Sequence, residues 1–307
     1  MNEFIKWCSI ENSYQEKYIS EMIEYYPQLP DERYAITEKI DGSNFQWAFF
    51  PDGTVRAGSR NNYLDMNGSF QGANIQCLYE THAEFLGNLL EWATEDCIEI
   101  RLYGELHGQG IQKRIDYGSE KKLIYFGMSI DGDWLSFCAF DTVLEEYGAV
   151  NLRVPLLFIA DNLDDALLVD LEFDTMLSDK EDNLAEGVVI LPYDSVYIDA
   201  YGSPFVLKKK HPKFGEKIKV EKVFDTEVSR LNAEFKSYLT DGRLLSVFSK
   251  EGQIESPKQI GKYIKLLLED AQVDFLKDND ISHLDKAQQK NVLNVGSTAA
   301  NMLKGYL

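Results

Sequence analysis

The sequence predicts an α+β protein: largely antiparallel sheets flanked by helices over residues 1–225, then a small all-helical domain over 226–307. Three observations predict it. In the first part, β-rich runs are broken by Pro, Asp and Gly turns, and segments between them carry apolar residues at helical spacing. After Lys222 the texture changes to helix-spaced segments. Taken in order, YQEKYISEMIEYY (14–26) reads as a helix. FQWAFF (45–50), Pro51-Asp52-Gly53 and TVRAGS (54–59) read as a hairpin, because Pro and Gly preset the turn. HAEFLGNLLEWA (82–93) is a second helix and CIEIRLYGEL (97–106) a strand. LIYFGMSI (123–130), Asp131-Gly132-Asp133 and WLSFCAF (134–140) read as a second hairpin, and GVVILP (187–192) and FVLKKK (205–210) as further strands.

In the tail, Ser256-Pro257 predicts a helix start, with a capping side chain and a proline at the first helical position. Ile260, Tyr263, Ile264, Leu267, Leu268 and Ala271 then form one apolar stripe. VSRLNAEFKSYL (228–239) and DKAQQKNVLNVGSTAANML (285–303) are the flanking helical candidates.

The 307 residues, 44% of them hydrophobic, are long and apolar enough for two domains with real cores. No apolar run approaches the ~18 residues of a membrane span, and the start lacks the pattern of a signal peptide. A soluble, cytoplasmic chain with no membrane partner is expected. Cys8, Cys77, Cys97 and Cys138 are scattered without a C-x-x-C pair, which argues against a zinc site and a disulfide framework. With 31 Lys+Arg against 51 Asp+Glu the net charge is −20, so nucleic acid cannot coat the whole surface. Any such site must be local, and Lys208 to Lys222, with seven lysines and two glutamates, is a local basic patch.

Glu38-Lys39-Ile40-Asp41-Gly42-Ser43-Asn44 lies where one strand candidate ends and the next begins, which places a lysine at the mouth of a sheet. Alone, Lys-x-Asp-Gly recurs by chance in roughly one chain of this length in ten. A lysine with an unperturbed pKa near ~10.4 must give up about 4.6 kcal/mol of proton affinity to be half deprotonated at neutral pH, and nearby positive charge can supply that. Lys208 and Lys210 alternate with Lys209 on a strand candidate and therefore share a face, where they can act on Lys39 and hold a phosphate.

Further segments follow in a fixed order: Ser59-Arg60, Tyr103-Gly104-Glu105-Leu106 leading into Gly108-Gln109-Gly110-Ile111-Gln112-Lys113, Tyr125-Phe126, Glu186-Gly187-Val188-Val189, and Lys208-Lys209-Lys210. The series resembles the motifs of the covalent nucleotidyltransferase superfamily of ATP-dependent ligases and capping enzymes. EKIDGSNF, GELHGQGIQKRIDYG and KKKHPKFGEK more narrowly resemble the RNA ligase 2 family, the nick-sealing RNA ligases of phages and RNA editing, and the likeness extends from SIENSYQEKYI into the helical tail.

The resemblance implies an adenylyltransferase domain over 1–225 and a helical RNA-engaging domain over 226–307. It implies that Lys39 attacks the α-phosphorus of ATP to form lysyl-AMP, with Lys208 and Lys210 as phosphate contacts. AMP then passes to the 5′-phosphate of RNA, and a 3′-hydroxyl displaces it, preferably at a nick in duplex RNA. Glu186 and Glu105 are implied at a Mg2+ (or Mn2+) site, whose preferred ligands are carboxylates and waters. Arg60 and Glu105 are implied at the ribose, Phe126 on the adenine, Glu38 and Asn44 along the nucleotide, and Arg243 on the nicked duplex. A monomer is expected, and a virus-encoded enzyme acting in the host cytoplasm is one setting for it.

Gly127 departs from the family pattern, which has aspartate there. Asp41 is either a turn former or the superfamily aspartate, where some family members have histidine. His82, His107, His211 and His283 have no partner at metal or triad spacing and read as structural. ATP-dependent DNA ligases and capping enzymes are the rivals, yet they usually carry an OB-type barrel where this tail reads helical. A non-catalytic RNA-end binder would need a broken lysine motif, and Lys39, Glu186 and Lys208 are all present.

Overall fold

The computed structural model describes residues 4–214, 227–254 and 256–306. The chain divides into two units, Met1–His211 and Pro212–Leu307. The expected boundary at 225/226 lies outside the described residues, as do Lys217, Lys219 and Lys222 of the lysine-rich stretch.

The first unit runs β1 (Glu11–Asn12), α1 (Glu16–Tyr25), β2 (Tyr34–Glu38), β3 (Ser43–Phe49), β4 (Val55–Ser59), β5 (Ser69–Phe70), β6 (Ala73–Asn74), α2 (Ile75–Thr81), α3 (Ala83–Glu95), β7 (Ile100–His107), β8 (Lys122–Ile130), β9 (Asp133–Trp134), α4 (Phe137–Glu146), β10 (Leu156–Ala160), α5 (Leu163–Leu167), β11 (Gly187–Pro192) and β12 (Leu207–Lys210). Two five-stranded sheets form, in the orders β1-β12-β11-β2-β10 and β4-β3-β7-β8-β9. Their pairings are antiparallel except that of β1 with β12. The α+β class is as the sequence predicts.

Each sheet buries one face under helices. Phe45, Trp47 and Phe49 of β3 and Leu102 and Leu106 of β7 pack with Phe85, Leu86 and Leu89 of α3. Tyr34 and Ile36 of β2 and Val188 and Ile190 of β11 pack with Ile19 and Met22 of α1 and Leu163 and Ala166 of α5. Each Val, Leu, Ile, Phe or Met among them contributes about 1.5–3 kcal/mol by leaving water. Alternation turns Asn44, Tyr103 and Glu105 of the second sheet, and Thr37 and Val189 of the first, to the faces away from those cores. Residues 39–42 are the passage from β2 in one sheet to β3 in the other, so the lysine motif lies where the two sheets meet.

The first hairpin forms as expected, with β3 paired to β4 around Pro51-Asp52-Gly53. The second is only half right. Asp131 and Gly132, both at positive φ, make the tight turn between β8 and β9, but β9 stops at Trp134. The Ser136 side chain then accepts from the Ala139 amide and starts α4, which buries Phe137, Phe140 and Leu144. Helical spacing of those three outweighs the β propensity of the run.

The second unit, over its described residues, comprises α6 (Glu227–Ser237), α7 (Asp241–Glu251), α8 (Ile260–Asp278), α9 (Lys286–Val292) and α10 (Gly296–Lys304), with Leu231, Phe235, Leu244, Phe248, Leu267 and Phe275 in its core. Two expectations need correction. No side chain caps α8: a 3-10 turn over Pro257–Gln259 precedes it, and helix proper begins at Ile260. The stretch 285–303 is two helices, because the chain leaves helical geometry between Val292 and Gly296; the first opens with a capping box of Asp285 and Gln288. Among the described residues no helix is long and apolar enough to cross a membrane.

Candidate active site

Lys39 follows β2 directly, and its backbone amide donates to the Gly187 carbonyl at 2.9 Å, so the motif begins tied to β11. Its ammonium donates to Glu186 Oε2 at 2.6 Å. Lys210 Nζ takes the other oxygen of the same carboxylate at 3.0 Å, and Arg114 Nη2 stands 3.9 Å from it. Burial opposes ionisation of Glu186, but Lys210, Lys39 and Arg114 outweigh it and hold the carboxyl well below the usual carboxylate range. One buried carboxylate thus joins three motif segments far apart in the chain.

The turn after Lys39 admits little variation. A Cβ on Gly42 would lie 2.4 Å from the Leu106 carbonyl oxygen and 2.8 Å from Glu105 Cγ, so only glycine lets the turn close on β7. The loop after β7 clamps the same turn. Arg114 Nε donates to Asp41 Oδ2 at 2.9 Å and Arg114 Nη2 to Asp41 Oδ1, a bidentate fork on an aspartate that is 4% exposed. The Asp41 amide donates to Tyr117 Oη at 2.9 Å. Arg114 and Tyr117 are functional candidates that sequence reasoning did not single out, although both lie in the quoted segment GIQKRIDYG.

Glu105 of β7 sits in register with Asn44 of β3. Burial pushes the Glu105 carboxyl up to about 8; the charge of Lys39 pulls it back, and the carboxylates of Glu186 and Asp41 push with burial. Asn44 Oδ1 is a buried acceptor without a hydrogen-bond partner. Side by side in register, Asn44 Oδ1 and the Glu105 carboxyl leave acceptor oxygens that a ligand bringing donors would fit. Arg60 Nη2 donates to Ser9 Oγ at 3.3 Å, and Phe126 of β8 lies on the face away from the core, edge-on to Trp7 with centroids 5.0 Å apart.

Strand alternation separates the three lysines as expected. Lys209 Nζ donates to the Leu167 and Val169 carbonyls at 2.7 and 2.8 Å, on the side of α5, while Lys208 and Lys210 share the opposite face. Two candidates do not join the cluster. Glu38, opposite Val188 in register, faces the α5 side and accepts from the Thr175 hydroxyl and the Met176 amide, so it pins the 175–176 loop. Arg243 is a correction. Its side chain is 3% exposed and donates to the Tyr238 carbonyl, to the carbonyl and carboxylate of Asp270 and to Asp274, so it staples α7 to α8 rather than lying open to a duplex.

His82 Nδ1 lies 2.8 Å from Tyr125 Oη, His211 meets Glu172 and His283 meets Glu227, while the ring of His107 lies edge-on to Tyr117 with its buried Nδ1 unpartnered among the described residues. Among the described residues no group of three or more His, Cys, Asp or Glu gathers as a metal cage.

Two sheets meet at a Lys-x-Asp-Gly turn, and one carboxylate is shared between the turn lysine and a strand lysine, as the resemblance to a nucleotidyltransferase domain implies. The RNA ligase family model matches residues 32–210, and the T4 RNA ligase 2 C-terminal model matches residues 221–301. The chain belongs to the RNA ligase family, in its RNA ligase 2 branch. Among solved structures it is similar to a Naegleria gruberi RNA ligase with PPi, at 15% identity and a TM-score of 0.53 over 70% of this chain and 58% of that one. A mutant of the Naegleria enzyme with ATP and Mn matches at 15% identity and a TM-score of 0.52, over 70% of this chain and 57% of that one. At that identity the likeness bears on the fold, and the match spans under three fifths of those ligases.

Proposed function

We propose that this chain is an ATP-dependent RNA ligase that carries AMP on Lys39 and seals 3′-hydroxyl/5′-phosphate RNA ends, preferably at nicks in duplex RNA. The observation that carries the reading is the shared carboxylate: Lys39 and Lys210 each hold one oxygen of Glu186, so a nucleophile and a phosphate-binding cation converge on one point.

In the first step the Lys39 nitrogen attacks the α-phosphorus of ATP, the bond to the β-phosphate oxygen breaks, and pyrophosphate leaves. Attack needs a lone pair, so the Lys39 ammonium must give a proton to water and swing clear of Glu186 before the nitrogen reaches phosphorus. Lys210, and Lys208 on the same face, then hold the charge on the transferred phosphate. Glu105 and Asn44 Oδ1 accept from the ribose hydroxyls, Arg60 flanks them, and Phe126 offers its ring to the adenine. A 5′-phosphate oxygen of RNA next attacks the lysyl-AMP phosphorus and breaks its bond to Lys39, and the adjacent 3′-hydroxyl, giving its proton to water, attacks the 5′-phosphorus and expels AMP; both steps rest on positioning and electrostatics.

Glu186 and Glu105 would hold Mg2+ or Mn2+. The site fits one: burial forces the Glu105 carboxyl upward, the carboxylates of Glu186 and Asp41 push with it, and such ions bind through one or two carboxylates with waters and substrate phosphates. When bound, the ion neutralises charge developing on the triphosphate.

The charge divides in a way that supports an RNA-engaging tail. Residues 1–211 carry 16 Lys+Arg against 37 Asp+Glu, a net −21, whereas residues 212–307 carry 15 against 14, a net +1. Phosphate backbones are repelled by the first unit outside its pocket and not by the second. To test the reading, the protein is incubated with α-labelled ATP and Mg2+ or Mn2+, then offered nicked duplexes with RNA or DNA on each side of the nick. Covalent label followed by closure of RNA nicks is expected. Closure of all-DNA nicks in preference, or label that moves to a 5′-diphosphate end as a cap, would assign the chain to another nucleotidyltransferase class.

A further inference from the structure

Residues 4–13 run across the nucleotide face of the second sheet before β1 joins the first. Phe4 stacks edge-on to Tyr63, the Ile5 carbonyl accepts from Arg101 Nη1 at 3.4 Å, and Ser9 Oγ accepts from Arg60. At the other end, the Ser13 amide donates to the Lys208 carbonyl at 2.9 Å. Between these ties Trp7 sits in a ring of aromatics, with centroids 5.0 Å from Phe126, 5.1 Å from Tyr103 and 5.0 Å from Trp134. Its ring also fills the space over residue 127: a Cβ there would lie 2.8 Å from Trp7 Cη2 and 2.9 Å from Cζ3.

The departure at Gly127 therefore has a physical cause, since Trp7 occupies the volume that a side chain would need. We infer that Trp7 is the positioning residue for Phe126, fixing that ring as the base-stacking surface, and that Gly127 is glycine because Trp7 is there. The inference rests on the proposed placement of adenine on Phe126. An edge-on ring restrains the Phe126 rotamer without covering its whole face, so base affinity depends on Trp7 although Trp7 need not touch the base. Burial pushes the neighbouring Cys8 thiol up to about 12 and disfavours its thiolate.

The full chain is compared as wild type, Trp7→Phe, Trp7→Ala, Gly127→Ala and the Trp7→Ala/Gly127→Ala double variant, reading melting temperature together with KM for ATP and kcat of adduct formation. Trp7→Ala should raise KM for ATP about tenfold with kcat within about threefold, the upper range for one aromatic pair. Trp7→Phe, which keeps an edge-on ring, should return KM to within about threefold of wild type. Gly127→Ala should lower the melting temperature and raise KM when Trp7 is present, and change little in the Trp7→Ala background, a non-additive cycle. Equal effects of Gly127→Ala in both backgrounds would overturn the packing claim. A Trp7→Ala protein that melts lower yet keeps the wild-type KM would overturn the positioning role. If wild type forms no adduct, the ligase reading and the positioning role fall together, while the melting-temperature cycle still decides why residue 127 is glycine.

Discussion

Replacing Lys210 by alanine removes a cation 3.0 Å from Glu186 and, in the proposed reaction, a contact to the transferred phosphate. Glu186 keeps Lys39 at 2.6 Å and Arg114 at 3.9 Å, so its charge is not stranded and the fold should hold. The loss falls on the reaction. A charge-assisted hydrogen bond contributes about 1.5–3 kcal/mol, which at 1.36 kcal/mol per decade is roughly a 10- to 150-fold fall in the rate of adduct formation. Lys209→Ala supplies the contrast. Its ammonium serves the Leu167 and Val169 carbonyls on the far face, so its loss should cost about 1–2 kcal/mol of stability and leave the rate within about threefold. Lys208→Ala should behave like Lys210→Ala, because the two share a face. Rapid-quench measurement of protein-bound label from α-labelled ATP, on variants matched for melting behaviour, reads these rates. Equal slowing by all three substitutions would refute the face assignment and with it the role given to Lys210.

A chain ending at Lys222 should fold and take AMP while sealing RNA nicks poorly; a truncated protein that seals as fast as the full one would remove the tail from the mechanism. Arg243→Ala should destabilise the tail by about 1.5–3 kcal/mol, since charge-assisted hydrogen bonds to Asp270 and Asp274 are lost while Lys250 still meets Asp270 at 2.9 Å, and leave adduct formation unchanged. RNA affinity lost with no change in melting temperature would instead return Arg243 to the RNA surface. Glu105 sets a pH dependence: its folded pKa, about 8, lies above the unfolded value, so the native state binds the extra proton and stability falls as pH rises from the ordinary carboxylate range through about 8. Glu105→Gln should flatten that slope in melts run from pH 5 to 9 without metal, and a slope that survives the substitution would mean that another group carries it.

Much of this was legible in the sequence, for reasons that differ by residue. Lys39, Glu186 and the lysine strand were readable because each sits at a strand end in a motif of fixed order, and strand alternation alone sorted Lys209 from Lys208 and Lys210. The same alternation, applied to Glu38 beside Lys39, gives the opposite facing that the structure shows. The α4 start was misread because Trp134 to Phe140 is a short apolar run whose period is ambiguous; Ser136 as a cap was the available signal. Arg243 looked like any surface arginine, and its burial was foreshadowed only by Asp270 and Asp274 four residues apart on the facing helix. The Arg114 fork on Asp41 joins residues 73 apart, a pairing that no local pattern encodes.

The account turns on one covalent bond. Wild-type protein reacted with α-labelled ATP and a divalent metal is digested, and the labelled peptide is mapped beside the same digest of Lys39→Ala. The account predicts an acid-labile AMP on Lys39 and none anywhere in the variant; label on another residue, or label that persists in Lys39→Ala, would contradict it.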